Sequence, residues 1–161
     1  MKPWLIFIVV CLCAALLCAC GAGAEAENPA AQAPKAPAGE EIDAGTFTVL
    51  VPKGWERMDI DGGVQLYKGS LIFQMTVRGY NVTPEEDLAL LQSLADQYGG
   101  EIEETQLLGM SFQRLYYTAA GVDQVYYSAV KDGEQIHIQL AGSGFSDNAD
   151  LAAMLNSVQL K

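Results

Sequence analysis

Cysteine offers the widest chemistry of any side chain in this sequence, and its placement limits that chemistry. The four cysteines are Cys11, Cys13, Cys18 and Cys20, and no thiol follows residue 20. A nucleophilic thiolate, a disulfide or a cysteine zinc site needs sulfur in the folded part of the chain. All three are excluded after Cys20. His137 is the one histidine and lies in Gln135-Ile136-His137-Ile138-Gln139. Ile136 and Ile138 share one strand face, and His137 takes the other with Gln135 and Gln139. Proton transfer needs an oriented partner, and the sequence indicates none. His137→Gln should therefore leave function intact.

Two further patterns resemble sites and fall short of them. Gly142-Ser143-Gly144 stands between a strand and a helix, where backbone N–H groups can cradle phosphate. The lysine of a phosphate loop is missing, and Asp147 already brings negative charge to that helix end. The stretch also lacks the full Gly-x-Ser-x-Gly of a nucleophile elbow, so it reads as a turn. Asp59-x-Asp61-Gly62 has the first oxygens of a calcium loop without its later ligands or closing glutamate. Glu101, Glu103 and Glu104 read as a solvated edge. No catalytic, metal-ligating or cofactor-binding residue is assigned, and no cofactor is expected.

The tyrosines are the remaining candidates. Tyr116-Tyr117 and Tyr126-Tyr127 fall in adjacent predicted strands. If the four residues Ala120 to Asp123 make the turn, Tyr117 opposes Tyr126 and Tyr116 opposes Tyr127, one pair on each face. At least one pair belongs to the core. The other is either covered by a helix or open to a peptide or glycan, and Tyr116 and Tyr127 are the candidate ligand-binding residues. Trp55 is expected at the edge of the core.

The N-terminal thiols have a different chemistry open to them. A single cation, Lys2, precedes an apolar run from Trp4 to Leu17, and the chain then turns small, acidic and Pro-rich. That order describes a secretory signal peptide. Leu17-Cys18-Ala19-Cys20 resembles the lipobox of bacterial lipoproteins, in which the thiol of the first mature residue carries a diacylglyceryl group. Cys20 fits that role, with Ala19 before it, Leu17 three residues before it and Gly21 after it. Cys18 follows the bulky Leu17, and Cys11 and Cys13 lie inside the apolar run. An uncleaved anchor is the alternative, but the 16 residues from Trp4 to Ala19 fall short of the roughly 20 of a helical span. The resemblance implies cleavage after Ala19, lipid on Cys20 and attachment to the extracytoplasmic face of a bacterial membrane. Each buried methylene contributes about 0.8 kcal/mol, and two chains suffice for stable attachment.

Charge bounds the partners. The chain carries a net charge of −11, which becomes −12 once Lys2 leaves with the leader. A basic patch for nucleic acid is absent, and anionic headgroups repel the domain. The acidity serves solubility, or else a cationic partner.

Residues 1–19 are thus the leader, 20–41 a disordered Ala-, Pro- and Glu-rich tether, and 42–161 a single domain. Phe47, Val49 and Val51 alternate as in a strand, which Pro52-Lys53-Gly54-Trp55 ends. Val64–Lys68 and Leu71–Arg78 form a strand pair around Gly69-Ser70. Thr83-Pro84-Glu85-Glu86 opens a helix with a capping box. Leu88, Leu91, Leu94, Ala95 and Tyr98 continue it, and Gly99-Gly100 closes it. Strands follow at 101–108, 112–119, 124–131 and 135–141, with Asp132-Gly133 as a hairpin turn. Asp147 starts a last helix with Leu151, Met154, Leu155 and Val158 inward. Short connections force antiparallel pairing. The expected class is α+β, one antiparallel β-sheet flanked by helices.

Phe47-x-Val49-x-Val51-Pro52-x-Gly54-Trp55 resembles the opening strand of PsbP-like proteins, and the likeness extends loosely to Leu160. It implies the α/β/α sandwich that those proteins share with a Ran-binding nuclear import factor and several small bacterial lipoproteins. Most of these relatives bind or assemble rather than catalyse. The expected function is a membrane-anchored, non-enzymatic accessory module for a protein or cell-envelope component. A small cell-surface hydrolase or metal-dependent enzyme is the alternative. A transporter's receptor fits less well, because one compact domain offers no two-lobe cleft.

Overall fold

The computed structural model describes residues 37–161. The leader, Ala19, the Cys20 lipid site and most of the tether lie outside the described residues. Among the described residues, no helix is long and apolar enough to cross a membrane.

Ten strands and two helices follow in order: β1 (Gly39–Asp43), β2 (Phe47–Pro52), β3 (Glu56–Ile60), β4 (Gly63–Lys68), β5 (Leu71–Arg78), α1 (Pro84–Tyr98), β6 (Ile102–Leu107), β7 (Met110–Ala119), β8 (Val122–Lys131), β9 (Glu134–Ala141), α2 (Ala149–Ser157) and β10 (Gln159–Leu160). A 3-10 turn, Phe145–Asp147, precedes α2. The main sheet has seven strands in the order β3-β4-β5-β9-β8-β7-β6. Every neighbouring pair in it is antiparallel.

Register divides this sheet into two unlike faces. Phe73 lies opposite Leu66 and Leu140, and Met75 lies opposite Val64 and Ile138. Leu140 and Ile138 in turn face Val125 and Tyr127. These side chains, with Phe112, form the main core cluster. Burying each large one contributes about 1.5–3 kcal/mol. The intervening residues point the other way. One row across that second face runs Met58, Gln65, Gln74, Gln139, Tyr126, Leu115, Ile102. The row beside it runs Ile60, Gly63, Thr76, His137, Ser128, Gln113, Glu104.

The apolar face is covered by a second sheet, of order β1-β2-β10, together with α2. Phe47 and Val49 from β2 and Leu151, Met154 and Val158 from the C-terminal segment enter the same core cluster. The architecture is α+β, as expected, but with more sheet than a single helix-flanked layer. The expectation of one sheet omitted β1, β3 and β10. None of them carries the apolar alternation of a half-buried strand. β3, Glu56-Arg57-Met58-Asp59-Ile60, is a largely exposed edge strand. β1 pairs from Gly39, so ordered structure begins inside the segment assigned to the tether, with Glu40 and Glu41 solvated on an edge.

Helix α1 begins where the sequence places it. The Thr83 side chain accepts from the Glu86 N–H at 3.2 Å, and the Glu86 carboxylate accepts from the Thr83 N–H at 2.9 Å. Leu91 and Ala95 pack on Leu115 of β7, forming a second, smaller apolar cluster. Helix α2 starts one residue later than Asp147 predicts: Asn148 is its cap, and its side-chain oxygen accepts from the Leu151 N–H at 3.1 Å. Asp147 instead ends the 3-10 turn.

The β7–β8 turn also differs from expectation. Ala120 and Gly121, both at positive φ (51° and 76°), make a two-residue turn rather than the four residues 120–123. Positive φ at both central positions matches the twist of a hairpin. The register moves by two, so Tyr117 opposes Gln124, Tyr116 opposes Val125, Leu115 opposes Tyr126 and Arg114 opposes Tyr127. A shift by two keeps every side chain on its expected face.

Asn148→Ala should lower the unfolding free energy by about 1 kcal/mol, the usual cost of a lost helix cap. Asp147→Ala should change it by less than about 0.5 kcal/mol. Urea melts of the two variants check this.

Candidate functional site

The polar face of the main sheet is half covered. Helix α1 packs on β6, β7 and β8, and its first turn carries Asp87 into the sheet. Asp87 is 4% exposed. Burial by itself raises the pKa of a carboxyl, but donors from His137, Ser128 and Gln135 outweigh it and hold Asp87 below the usual carboxylate range. Ser128 Oγ donates to Oδ2 at 2.6 Å. Gln135 Nε2 donates to Oδ1 at 2.6 Å, and His137 Nε2 stands 3.2 Å from the same oxygen. The N-terminal end of α1 adds a favourable dipole for negative charge.

His137 is thus oriented by a carboxylate that lies 50 positions away in the chain. Its Nδ1 is 2.6 Å from the Tyr126 hydroxyl. With a neutral imidazole, Tyr126 O–H donates to Nδ1 and Nε2–H donates to Asp87. Burial, with the Asp87 charge nearby, pushes the Tyr126 phenol far above its ordinary value, so it remains a donor. The expectation that His137 lacks an oriented partner does not hold in the folded chain. Asp87, Ser128, Gln135 and Tyr126 were missed as its neighbours. The one clue was an aspartate at position 87, on the stripe that α1 buries with Leu91 and Ala95.

The chemistry of this cluster follows from where its protons point. Ser128 donates to Asp87 and not to the imidazole, so the hydroxyl is not activated as in a nucleophile–base pair. The second imidazole nitrogen receives Tyr126. The three donors engage both oxygens of Asp87 and fix the helix on the sheet. A cleft of about 300 Å³ opens beside the cluster, lined by Leu90, Leu91, Ser93 and Leu94 from α1 and by Tyr126 and His137 from the sheet.

Beyond α1 the face continues over β9, β5, β4 and β3. Gln65, Gln74 and Gln139 occupy adjacent positions there, each partly exposed. Gln139 donates to Gln124 Oε1, which also accepts from Tyr117 O–H at 3.1 Å. Charged residues stand at the margins. Glu56 accepts from Tyr67 O–H at 2.9 Å, and Arg78 donates to the Asp61 carbonyl at 2.9 Å.

The other sequence candidates fall elsewhere. Tyr127 is in the core at 9% exposed, whereas Tyr116 is 46% exposed. Tyr116 stacks on Phe145 with centroids 6.4 Å apart, under the Arg114 guanidinium at 4.9 Å. Both tyrosines lie on the apolar side of the sheet, away from the Asp87 cluster, and they are not direct partners. Trp55 is at the core edge, with its indole N–H donating to Asp150 at 2.8 Å. Gly142 is needed for close approach: a Cβ there would meet the Ser70 carbonyl oxygen at 2.4 Å. Asp59 pairs with Arg57 at 2.6 Å and Asp61 with Arg78 at 3.5 Å. Glu103 pairs with Arg114, and Glu104 accepts from Ser111 at 2.6 Å. A larger cleft of about 510 Å³ lies between β1–β2 and Trp55–Arg57, walled by Ile42, Val51 and Pro52. Glu40, Lys53 and Arg57 also line it.

Asp87→Ala should cost about 3 kcal/mol, because it leaves buried donors unpaired. The pH dependence follows from the lowered Asp87 value. Its contribution is complete above the unfolded aspartate pKa of about 3.9 and is lost as pH falls through the folded value. Thermal melts should show Asp87→Asn less stable than the parent at neutral pH, with a shallower loss toward about pH 2.

Comparison with known proteins bears on the fold. No family model matches this sequence, and no curated protein matches it. The fold is similar to the solution structure of cyanobacterial PsbP (CyanoP) from Synechocystis sp. PCC 6803, with a TM-score of 0.53 and 12% identity. That likeness covers 76% of this chain and 92% of that one. A crystal structure from Bacteroides thetaiotaomicron is similar with a TM-score of 0.54 and 10% identity, covering 76% of this chain and 48% of the other, so this chain spans about half its length. At such identities the likeness concerns architecture alone, and the described domain has a PsbP-like fold.

Proposed function

We propose that this chain is a lipid-anchored, extracytoplasmic accessory module that binds a protein or cell-envelope component without catalysing a reaction. The observation that carries the binding part is the open half of the polar sheet face, where Gln65, Gln74 and Gln139 stand in one row beside the cleft under α1. A sheet face of partly exposed amides, flanked by a cleft, is a surface for recognition. The anchoring part rests on Leu17-Cys18-Ala19-Cys20 at the end of the Trp4–Leu17 run. The membrane is then reached through lipid on Cys20, and the acidic domain, repelled by anionic headgroups, stays free to meet its partner.

A second reading, a small cell-surface hydrolase, is favoured by one contact, His137 Nε2 to Asp87 Oδ1 at 3.2 Å. It needs a nucleophile on the free imidazole nitrogen, and Tyr126 occupies that position. Engagement of both Asp87 oxygens by donors from the sheet supports a structural role for the cluster instead.

Intact-mass measurement after membrane extraction should find a mature chain beginning at a diacylglyceryl-modified Cys20. Cys20→Ala should move the protein from the particulate to the soluble fraction and abolish palmitate incorporation. A chain that retains Met1, or a variant that stays in the particulate fraction, would sink the anchoring. Crosslinking in intact cells should recover an envelope partner. Turnover of an ester or amide substrate that disappears in His137→Ala would instead establish the hydrolase.

A further inference from the structure

We propose that the open half of the polar sheet face and the cleft beside Leu90 together bind an uncharged, N-acetylated glycan strand. The inference rests on the reading of the protein as an envelope binding module and names the ligand class of that surface.

The absence of free charge selects the ligand. The chain has 20 acidic and 9 basic residues, yet the central rows of this face carry none. They hold Met58, Gln65, Gln74, Gln139 and Tyr126 in one row and Ile60, Gly63, Thr76, His137 and Ser128 in the next, where Thr76 and Ser128 are buried and the first row is the open one. An anionic ligand needs a free cation, and Arg78 at the margin is held by Asp61. A cationic ligand needs a free carboxylate, and both Asp87 oxygens are occupied by donors from the fold. A second copy of the chain or an apolar partner needs an apolar interface core, and the large exposed hydrophobic on these rows is Met58, at the sheet edge.

Side-chain amides suit sugars. Each offers a carbonyl acceptor and two N–H donors, the complement of neighbouring hydroxyls that both donate and accept. The row from Met58 to Tyr126 crosses five strands, about 19 Å at about 4.8 Å per strand, which favours an extended polymer over a single small molecule. An extended peptide reads the unpaired backbone of a sheet edge. These groups are side chains on a face whose strands are already paired.

The cleft adds the acetyl group. Leu90, 58% exposed, and Leu94 give it an apolar wall, while Ser93, Tyr126 and His137 give it polar edges. At about 300 Å³ it matches one sugar with an amide substituent rather than a whole chain. An acetamido group carries a methyl for the wall and an amide for the edges. Tyr126 is the partner of Gln139 across β8 and β9, so cleft and amide row are continuous.

The test uses the full chain in neutral-detergent micelles, with calorimetry and saturation-transfer NMR. The probes are an N-acetylglucosamine hexamer, a glucose hexamer and an uncharged Gly/Ser hexapeptide. The acetylated hexamer should bind saturably with a Kd below about 1 mM, at least about tenfold tighter than either other probe. Gln74→Ala/Gln139→Ala and, separately, Leu90→Asp should each weaken it by about tenfold with the melting temperature unchanged. Glu103→Gln, on the other side of the sheet, should bind as the parent does. The proposal is overturned by no saturation at about 5 mM, by equal binding of the two sugars, by preference for the peptide, or by indifference to the face variants. Loss of glycan binding in a chain that still fractionates with the membrane overturns this inference alone. Failure to fractionate with the membrane overturns the anchored-module reading.

Discussion

Successive side chains of a β-strand point to opposite faces, and seven strands in register multiply that alternation into a sheet with two unlike sides. The rest of this domain answers to that division. The side built from Phe73, Met75, Leu66, Ile138 and Leu140 must be covered, and both ends of the domain come together to cover it. β10, at the C-terminus, pairs with β2, near the start, with Leu160 opposite Phe47. Residues more than a hundred positions apart thus close one layer over the core. Ser157 of α2 locks the layer further, its Oγ accepting from the Leu50 N–H at 2.8 Å.

The other side poses the opposite problem. It is polar, so a helix can settle on it only by meeting its hydrogen bonds. Helix α1 does this in two ways. Leu91 and Ala95 join Leu115 in a small apolar contact, and Asp87 takes up donors from three residues on β8 and β9. Burying one charge is costly unless it is paired and bonded, and here the donors are supplied by residues that would themselves be unpaired under the helix. The cluster therefore fixes where the helix lies. Helix α1 packs on β6, β7 and β8 and meets β9 through Asp87, while Gln65, Gln74 and Gln139 remain partly exposed.

The PsbP-like architecture constrains this less than the residues do. Similar solved structures share 10–12% identity with the chain, and a fold at that distance hosts unrelated functions. On the uncovered face of this domain stand neutral amides, in a strongly acidic protein.

Much of the architecture was legible in local sequence. Alternation in Phe47-Thr48-Val49, the Thr83–Glu86 capping box and the Asp132-Gly133 turn are short-range signals. They act within a few residues and need no tertiary context. The edge strand Ile102–Leu107 was read at 101–108, but the edge strands Gly39–Asp43 and Glu56–Ile60 were not legible, because they carry mostly solvated residues. Nor was the β7–β8 register, which depends on a left-handed conformation at Ala120, a residue with no special preference for it. By itself the sequence determined the placement of the thiols before the domain, the acidity, the strand alternation and the start of α1. Only tertiary structure decided that His137 meets Asp87, that Tyr127 is buried while Tyr116 is not, and that three glutamines share one open row. Those facts depend on pairing between segments far apart in the chain, and hydrogen bonding at that distance leaves no local trace in residue order.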